Sequence, residues 1–307
     1  MIEVHGVQKA FGDQPVLKGI ELQVADGEVF GFVGPNGAGK STFLKCALGI
    51  VRADAGSIRL GQGTDIVDAL RDPLGARRRI GYSPGETSLY QSLKAIDFLR
   101  FALAHYPNAD LERASALLET FGLPANKRIK GFSHGMKRKT LLAQALASGA
   151  PVLMLDEPME GLDPDARRTV EHLLSAEAEA GRTVFFSSHD LASVERICDR
   201  VAFLRGGRIM ETGRISEILA RASRILHLTF EHEFERSALP SEPSWEWDGA
   251  GTRWRLSFDG ELASVLAHFE GMPLAGIRDG SGRLEDVFES LYGPEAPTHS
   301  TLSAEAN

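Results

Sequence analysis

Cysteine is nearly absent. Cys46 and Cys198 are the only two in 307 residues, and neither stands in a C-x-x-C pair. That excludes a disulfide framework and suits reduced, buried thiols of a cytosolic protein. Long apolar runs are missing as well. No stretch approaches the roughly 20 residues needed to cross a bilayer. The opening MIEVHGVQKAFG has no basic head followed by an apolar block, so no signal peptide is expected. Nor is there a basic excess: 34 Lys and Arg stand against 42 Asp and Glu, a net charge of -8 at pH 7. Nucleic acid is therefore not an expected partner, because binding a phosphate backbone needs a basic face. The chain also shows no internal repeat and no heptad run.

What is present is apolar material, 43% of the chain, ample for one sizeable core and a second small domain. From residue 2 to about 218, short β-rich runs alternate with amphipathic helical stretches. The runs at 29–33, 152–155, 183–187 and 201–204 read as strands. The longest of them are apolar on both faces, which predicts buried, mostly parallel strands with helices packed outside. Residues 2–24 with 56–60 read as short antiparallel strands, and 93–122 as a helical subdomain with Leu and Ala at three- and four-residue spacing. The character changes near residue 221. There 225–230 and 253–258 alternate like half-buried strands on either side of a loop rich in Pro, Ser and Glu, and 262–269 and 284–292 look helical. The expected domains are 1–220, a small α+β domain at 221–293, and a polar, disordered tail at 294–307. Trp245, Trp247 and Trp254 either fill the core of the small domain or form a binding surface; core filling is the commoner use.

The sharpest local signal is Gly34-Pro35-Asn36-Gly37-Ala38-Gly39-Lys40-Ser41, followed by Thr42. It fits G-x-x-x-x-G-K-[ST], and it lies between a strand and a helix as the motif requires. Glycines let the backbone curl into a concave row of N–H groups, and the helix N-terminus adds positive potential. Lys40 would reach the β- and γ-phosphates of a nucleotide, and Ser41 would ligate Mg²⁺. The apolar run at 152–155 ends in Asp156 and Glu157. A strand end of this kind lies at the ligand-binding edge of an α/β sheet. Asp156 is the expected holder of Mg²⁺ and Glu157 the group that polarises the attacking water. His189 follows Ser187-Ser188 at the end of another apolar strand, so it is expected at the same edge as a sensor of the γ-phosphate or the water.

With Phe132-Ser133-His134-Gly135-Met136 ahead of the Asp156 strand, these segments resemble the ATP-binding cassette family over residues 2–218, and loosely beyond. The pentapeptide is similar to the family signature LSGGQ, in the variant form of many export-type and resistance-type cassettes. In that family two cassettes pair head-to-tail, and the signature of one covers the ATP held by the other. The resemblance therefore implies that Ser133, His134 and Gly135 bind nucleotide across a dimer. Ser133 also reads as a plain N-cap, and a cap can serve both purposes. Gly161-Leu162-Asp163-Pro164 matches the loop that passes between subunits. Phe11 stands where the family places an aromatic ring on adenine, with Val16 flanking it; the other reading of Phe11 is an ordinary core aromatic.

The resemblance implies an α/β P-loop NTPase cassette with an antiparallel β subdomain and a helical subdomain, plus the small α+β domain. It implies an ATPase with ATP and Mg²⁺ as cofactors, working as a homodimer on an integral membrane permease made by another chain. Such a protein is cytoplasmic and peripheral on the inner face of the membrane. The signature variant favours export, as does Leu284-Glu285-Asp286-Val287-Phe288, similar to a stretch that closes many export cassettes. An importer subunit and a soluble cassette ATPase are the rival readings. The sequence departs from the family at two places. In the frame Ile80-Gly81-Tyr82-Ser83-Pro84-Gly85-Glu86, Gly85 stands where the family has a glutamine that contacts Mg²⁺ and senses the membrane partner, leaving Glu86 or water to fill that role. His134 and Met136 replace the usual Gly and Gln of the signature.

Overall fold

Strands buried along their whole length need cover on both faces, and Val29–Val33, Val152–Asp156 and Thr183–Ser188 have no exposed position. In the computed structural model, which describes residues 1–221, 224–258, 260–280 and 283–292, they lie side by side in one sheet. Its six strands are ordered Arg208–Arg214, Arg200–Arg205, Val29–Val33, Thr183–Ser188, Val152–Asp156, Ile80–Ser83. The last five run parallel. Parallel pairing brings their C-terminal ends to one edge, so the segments after Val33, Asp156 and Ser188 meet there. The first strand returns antiparallel through Gly206-Gly207, with φ of 52° and 82°. A two-residue turn of that hand needs positive φ at both positions. Beneath the edge, Phe43 of helix Lys40–Ala47 tilts onto Phe32 and Phe185, with ring centroids at 5.1 and 5.6 Å. This packing anchors the helix that follows the glycine loop.

A second, antiparallel sheet is ordered Gln14–Val24, Ile2–Phe11, Ala55–Gln62, Asp65–Asp68. Its first two strands run 11 and 10 residues, longer than the short strands expected. The register shifts between Val4 and Val7, where Gly6 has φ 58°, so the strand changes face without losing its partner. Ile2, Val4, Val7, Ile20 and Leu60 join Phe30, Phe32 and Phe43 in one core. Helices Ala95–Leu103, Leu111–Thr120 and His134–Ala147 pack on one another, with Phe98, Leu99, Leu103, Leu117, Leu118 and Leu142 buried. The third of these begins at His134, capped by Ser133, whose Oγ accepts the Met136 N–H at 3.3 Å.

The chain divides into two units, Met1–Arg214 and the part from Ile215 on. Helix Ile215–Arg221 groups with the second unit, where it packs on helix Leu284–Tyr292. That unit holds an antiparallel sheet ordered Glu246–Phe258, Arg224–Phe234, Leu274–Asp279. Alternate residues Leu226, Leu228 and Phe230 point into a core with Trp245, Trp254, Leu256, Phe258 and Phe269, and Trp247 packs at its margin. Trp245 and Trp254 are thus core residues and Trp247 packs against them, and Trp247 and Trp254 donate their indole N–H groups to the carbonyls of Pro240 and Gly251 at 2.9 and 3.0 Å. Strand Leu274–Asp279 was not legible in the sequence, since its run LAGIRD lacks alternation; pairing with Arg224–Phe234 creates it. The tail expected to be disordered lies outside the described residues. Both cysteines are free and buried. Among the described residues no helix is long and apolar enough to cross a membrane.

Candidate functional site

The loop from Gly34 to Lys40 is shaped by close approaches that only glycine allows. A Cβ at Gly34 would meet the Leu204 carbonyl oxygen at 2.4 Å. Gly39 has φ 112° and is the residue before helix Lys40–Ala47, which has no side-chain cap. The first-turn N–H groups therefore lack the partner a Ser or Asp would provide, and they face out of the helix N-terminus. Ala38 is tied down by its carbonyl, which accepts the Gly207 N–H at 3.1 Å. Asn36, Gly37 and Ser41 are exposed, and Pro35 and Thr42 half-buried. The Lys40 ammonium is buried in the middle, donating to the Gly34 and Pro35 carbonyls at 2.5 and 3.3 Å and lying 3.4 Å from Glu157 Oε1.

Strand Val152–Asp156 pairs with Thr183–Ser188 so that Asp156 stands beside Ser187. The Ser187 hydroxyl donates to Asp156 Oδ1 at 2.6 Å and accepts the Glu157 N–H at 3.1 Å. Asp156 is 4% exposed. Glu157 has φ 49°, the one positive φ outside glycine among the described residues. That conformation costs of order 1 kcal/mol for an ordinary side chain, and such strain persists only where neighbours hold it. Here the backbone hydrogen bonds to Ser187 hold it. The Glu157 carboxylate accepts from His189, at 2.9 Å from Nδ1 and 3.3 Å from the backbone N–H. Burial pushes the Glu157 carboxyl up, but the His189 hydrogen bond and the nearby Lys40 charge outweigh it and hold the group below its ordinary value. The Glu157 hydrogen bond in turn raises His189, against the pull of partial burial.

Ser133, His134 and Gly135 sit at the opening of helix His134–Ala147, with Ser133 and His134 exposed. His134 Nδ1 lies 3.2 Å from Thr87 Oγ1, and its ring packs over Gly161. Asp163 caps helix Pro164–Glu179. Phe11 is 51% exposed, with the Lys9 ammonium 5.3 Å from its ring centre, so it is not a core aromatic. Val16 lies against the glycine loop: a Cβ at Gly39 would meet its carbonyl at 3.2 Å. Gly85 packs directly on Asp156, where a Cβ would lie 3.1 Å from Oδ2, while Glu86 is exposed.

Two residues of this site escaped the sequence reading. Ser187 was seen only as a neighbour of His189. Arg138, 0% exposed on helix His134–Ala147, was not singled out at all. Its local sequence, Lys137-Arg138-Lys139, reads as a solvated cationic run and gives no signal of burial. The Ser41 hydroxyl, on the exposed first turn of helix Lys40–Ala47, and the buried Asp156 carboxylate are oxygen donors of the kind that suits Mg²⁺, which keeps several waters and takes its other ligands from substrate phosphates.

The chain is similar to known proteins. A family model described as ABC transporter matches residues 17–160. The chain is 39% identical over 213 residues to an uncharacterized ABC transporter ATP-binding protein of Synechocystis, covering 66% of this chain and 58% of that protein. It thus spans less than two thirds of that relative. It is 32% identical over 304 residues to the Nod factor export ATP-binding protein I of Rhizobium etli, covering 96% of this chain and 94% of that one. A solved dimeric bacterial ABC transporter cassette superposes with a TM-score of 0.63 at 25% identity, covering 70% of this chain and 98% of that chain.

Proposed function

This chain belongs to the ABC transporter family as an ATP-binding subunit, and from that premise we propose that it hydrolyses ATP between two copies of itself to drive export through a separate membrane subunit. The observation that carries this reading is the meeting of Lys40, Glu157 and His189 at one sheet edge, beside an uncapped helix N-terminus and the buried Asp156. Ser133, exposed, and Gly135, half-buried against the Gly161 carbonyl, sit at a second helix N-terminus. A second copy would lay that terminus over the triphosphate, whose charge bridges two positive helix ends that otherwise repel. Export is supported by the similarity to the Nod factor export protein of Rhizobium etli, matched along nearly its whole length.

In this mechanism the Gly34–Thr42 segment cradles the phosphates, and Lys40 exchanges its two loop carbonyls for β- and γ-phosphate oxygens. Phe11, with Val16 at its side, offers a half-exposed ring to adenine. Bound Mg²⁺, held by Ser41 and Asp156, would supply positive charge against the developing negative charge on the phosphates. Glu157, held between Lys40 and His189, orients the attacking water. His189 grips Glu157 in the free protein and is in place to hold the γ-phosphate or the water once nucleotide arrives. The surface near residues 82–90 and the start of the helical subdomain, where the exposed rings of Tyr90 and Phe101 lie 5.4 Å apart, would meet the membrane partner. The chain would then lie on the cytoplasmic face of the membrane.

The test is Mg-ATP hydrolysis and mass in solution for the wild type and Glu157→Gln. Turnover by the wild type is expected, together with a non-hydrolysing variant that becomes dimeric only with ATP. Rapid turnover by Glu157→Gln would remove Glu157 from its role, and a variant that binds ATP yet stays monomeric would remove the shared site.

A further inference from the structure

His134 and Arg138 are one helical turn apart, so they share a face of helix His134–Ala147. Both grip the loop around Gly85. Arg138 donates to the Pro84 carbonyl at 2.8 Å and the Gly85 carbonyl at 2.6 Å, and His134 meets Thr87 at 3.2 Å. On their other side both reach the segment after the carboxylate strand. Arg138 donates to the Asp156 carbonyl at 3.3 Å and lies 3.6 Å from Glu160, while the His134 ring covers Gly161. The Asp156 carbonyl belongs to the same peptide plane as the Glu157 N–H. Arg138 thus holds one edge of that plane and Ser187 the other, and the plane sets the strained φ of Glu157.

A guanidinium with no solvent exposure is expensive to bury, and its Nε has no hydrogen-bond partner here. A purely cementing role is met more cheaply by an apolar side chain. What the planar fork provides is several donors fixed in relative position. Gly85 explains why they are needed. Its missing side chain leaves the loop pressed on the Asp156 carboxylate, with no group of its own to reach it.

We propose that Arg138, assisted by His134, is the positioning residue that ties loop 84–87 to the peptide between Asp156 and Glu157, in place of a side chain at position 85. Movement of the loop by a membrane partner is transmitted through the guanidinium to the orientation of Glu157, and nucleotide at Glu157 is transmitted back to the loop. The inference rests on the ATPase reading above.

The experiment follows backbone hydrogen exchange in the peptide spanning 84–90, with and without Mg-ATP, in the full chain. Wild type, Arg138→Met and Arg138→Lys are compared, with ATP affinity, turnover and melting temperature measured alongside. Mg-ATP is expected to slow exchange of this peptide in the wild type and to leave it unchanged in Arg138→Met. ATP affinity should stay within about threefold while turnover falls roughly tenfold or more, the size of effect that slight misplacement of a reacting group produces. Arg138→Lys, with charge but no fork, should fall between the two, and it decides the matter alone if the Met variant does not fold. A folded variant whose 84–90 peptide responds to Mg-ATP as the wild type does would overturn the proposal. So would affinity, turnover and melting temperature falling together, as cement alone would cause. Failure of the wild type to bind Mg-ATP would instead refute the ATPase reading itself.

Discussion

Replacing Ser187 by Ala removes one oxygen from a site where it serves two partners. Its hydroxyl donates to the 4%-exposed Asp156 carboxylate at 2.6 Å and accepts the Glu157 N–H at 3.1 Å. The second loss is small, because that N–H also reaches the Ser187 carbonyl at 3.2 Å, a backbone bond the substitution leaves intact. The first is not. A hydrogen bond to a charged group contributes about 1.5–3 kcal/mol, and leaving the buried group unsatisfied forfeits it without return from water. Alanine nearly fills the serine volume, so no cavity adds to the cost. The expected loss is therefore about 2 kcal/mol, or roughly 4–8 °C in melting temperature for a unit of this size. Thermal unfolding of the ligand-free chain measures it. Ser188→Ala is the control, since the Ser188 hydroxyl accepts the Asp190 N–H at 2.9 Å and donates to the Asp190 backbone carbonyl at 3.4 Å instead of to a carboxylate. A Ser187→Ala chain melting within about 1 °C of the wild type would refute the reasoning, as would an equal loss in Ser188→Ala.

Phe11→Ala should weaken ATP binding by about 1–3 kcal/mol, the contribution of an aromatic stacked on a base. Phe11→Trp should retain the affinity, and nucleotide titration of both variants checks it. The Glu157–His189 pair gives a pH signature. Glu157 is held below its ordinary 4.5, so its contribution to stability is full above that pH and is lost as pH falls through the depressed folded value. His189 is raised above its ordinary 6.5, so its contribution is full below that pH and is lost as pH rises through the raised folded value. The stability difference between wild type and His189→Ala should therefore peak between pH 4.5 and 6.5 and shrink on both sides, as melting curves across pH would record. A difference that is flat with pH would remove the ion pair.

Much of the site was legible because its chemistry is local. The glycine loop is eight consecutive residues whose glycines, lysine and serine carry their signal in their spacing. Asp156, Glu157 and His189 were legible because each ends an apolar run, and parallel strands must deliver such ends to one edge. Other features were ambiguous for want of a third dimension. Phe11 could be core or platform until its exposure was known. Ser133 could be cap or ligand, and it is a cap by geometry without losing its exposure to a partner. Strand Leu274–Asp279 has no pattern of its own and exists through its neighbour.

The sequence by itself determined the class of chemistry, because backbone curvature, helix dipole and side-chain identity are properties of short contiguous segments. It determined the buried sheet for a similar reason, since a run apolar on both faces has few other places to go. Only the tertiary structure decided how the carboxylates are held. Ser187 lies 31 residues from Asp156, and Arg138 lies 18 residues before it on a helix. A hydrogen bond between such residues depends on strand register and helix docking within a few tenths of an ångström. The packing of the whole unit sets those, and no local pattern encodes them.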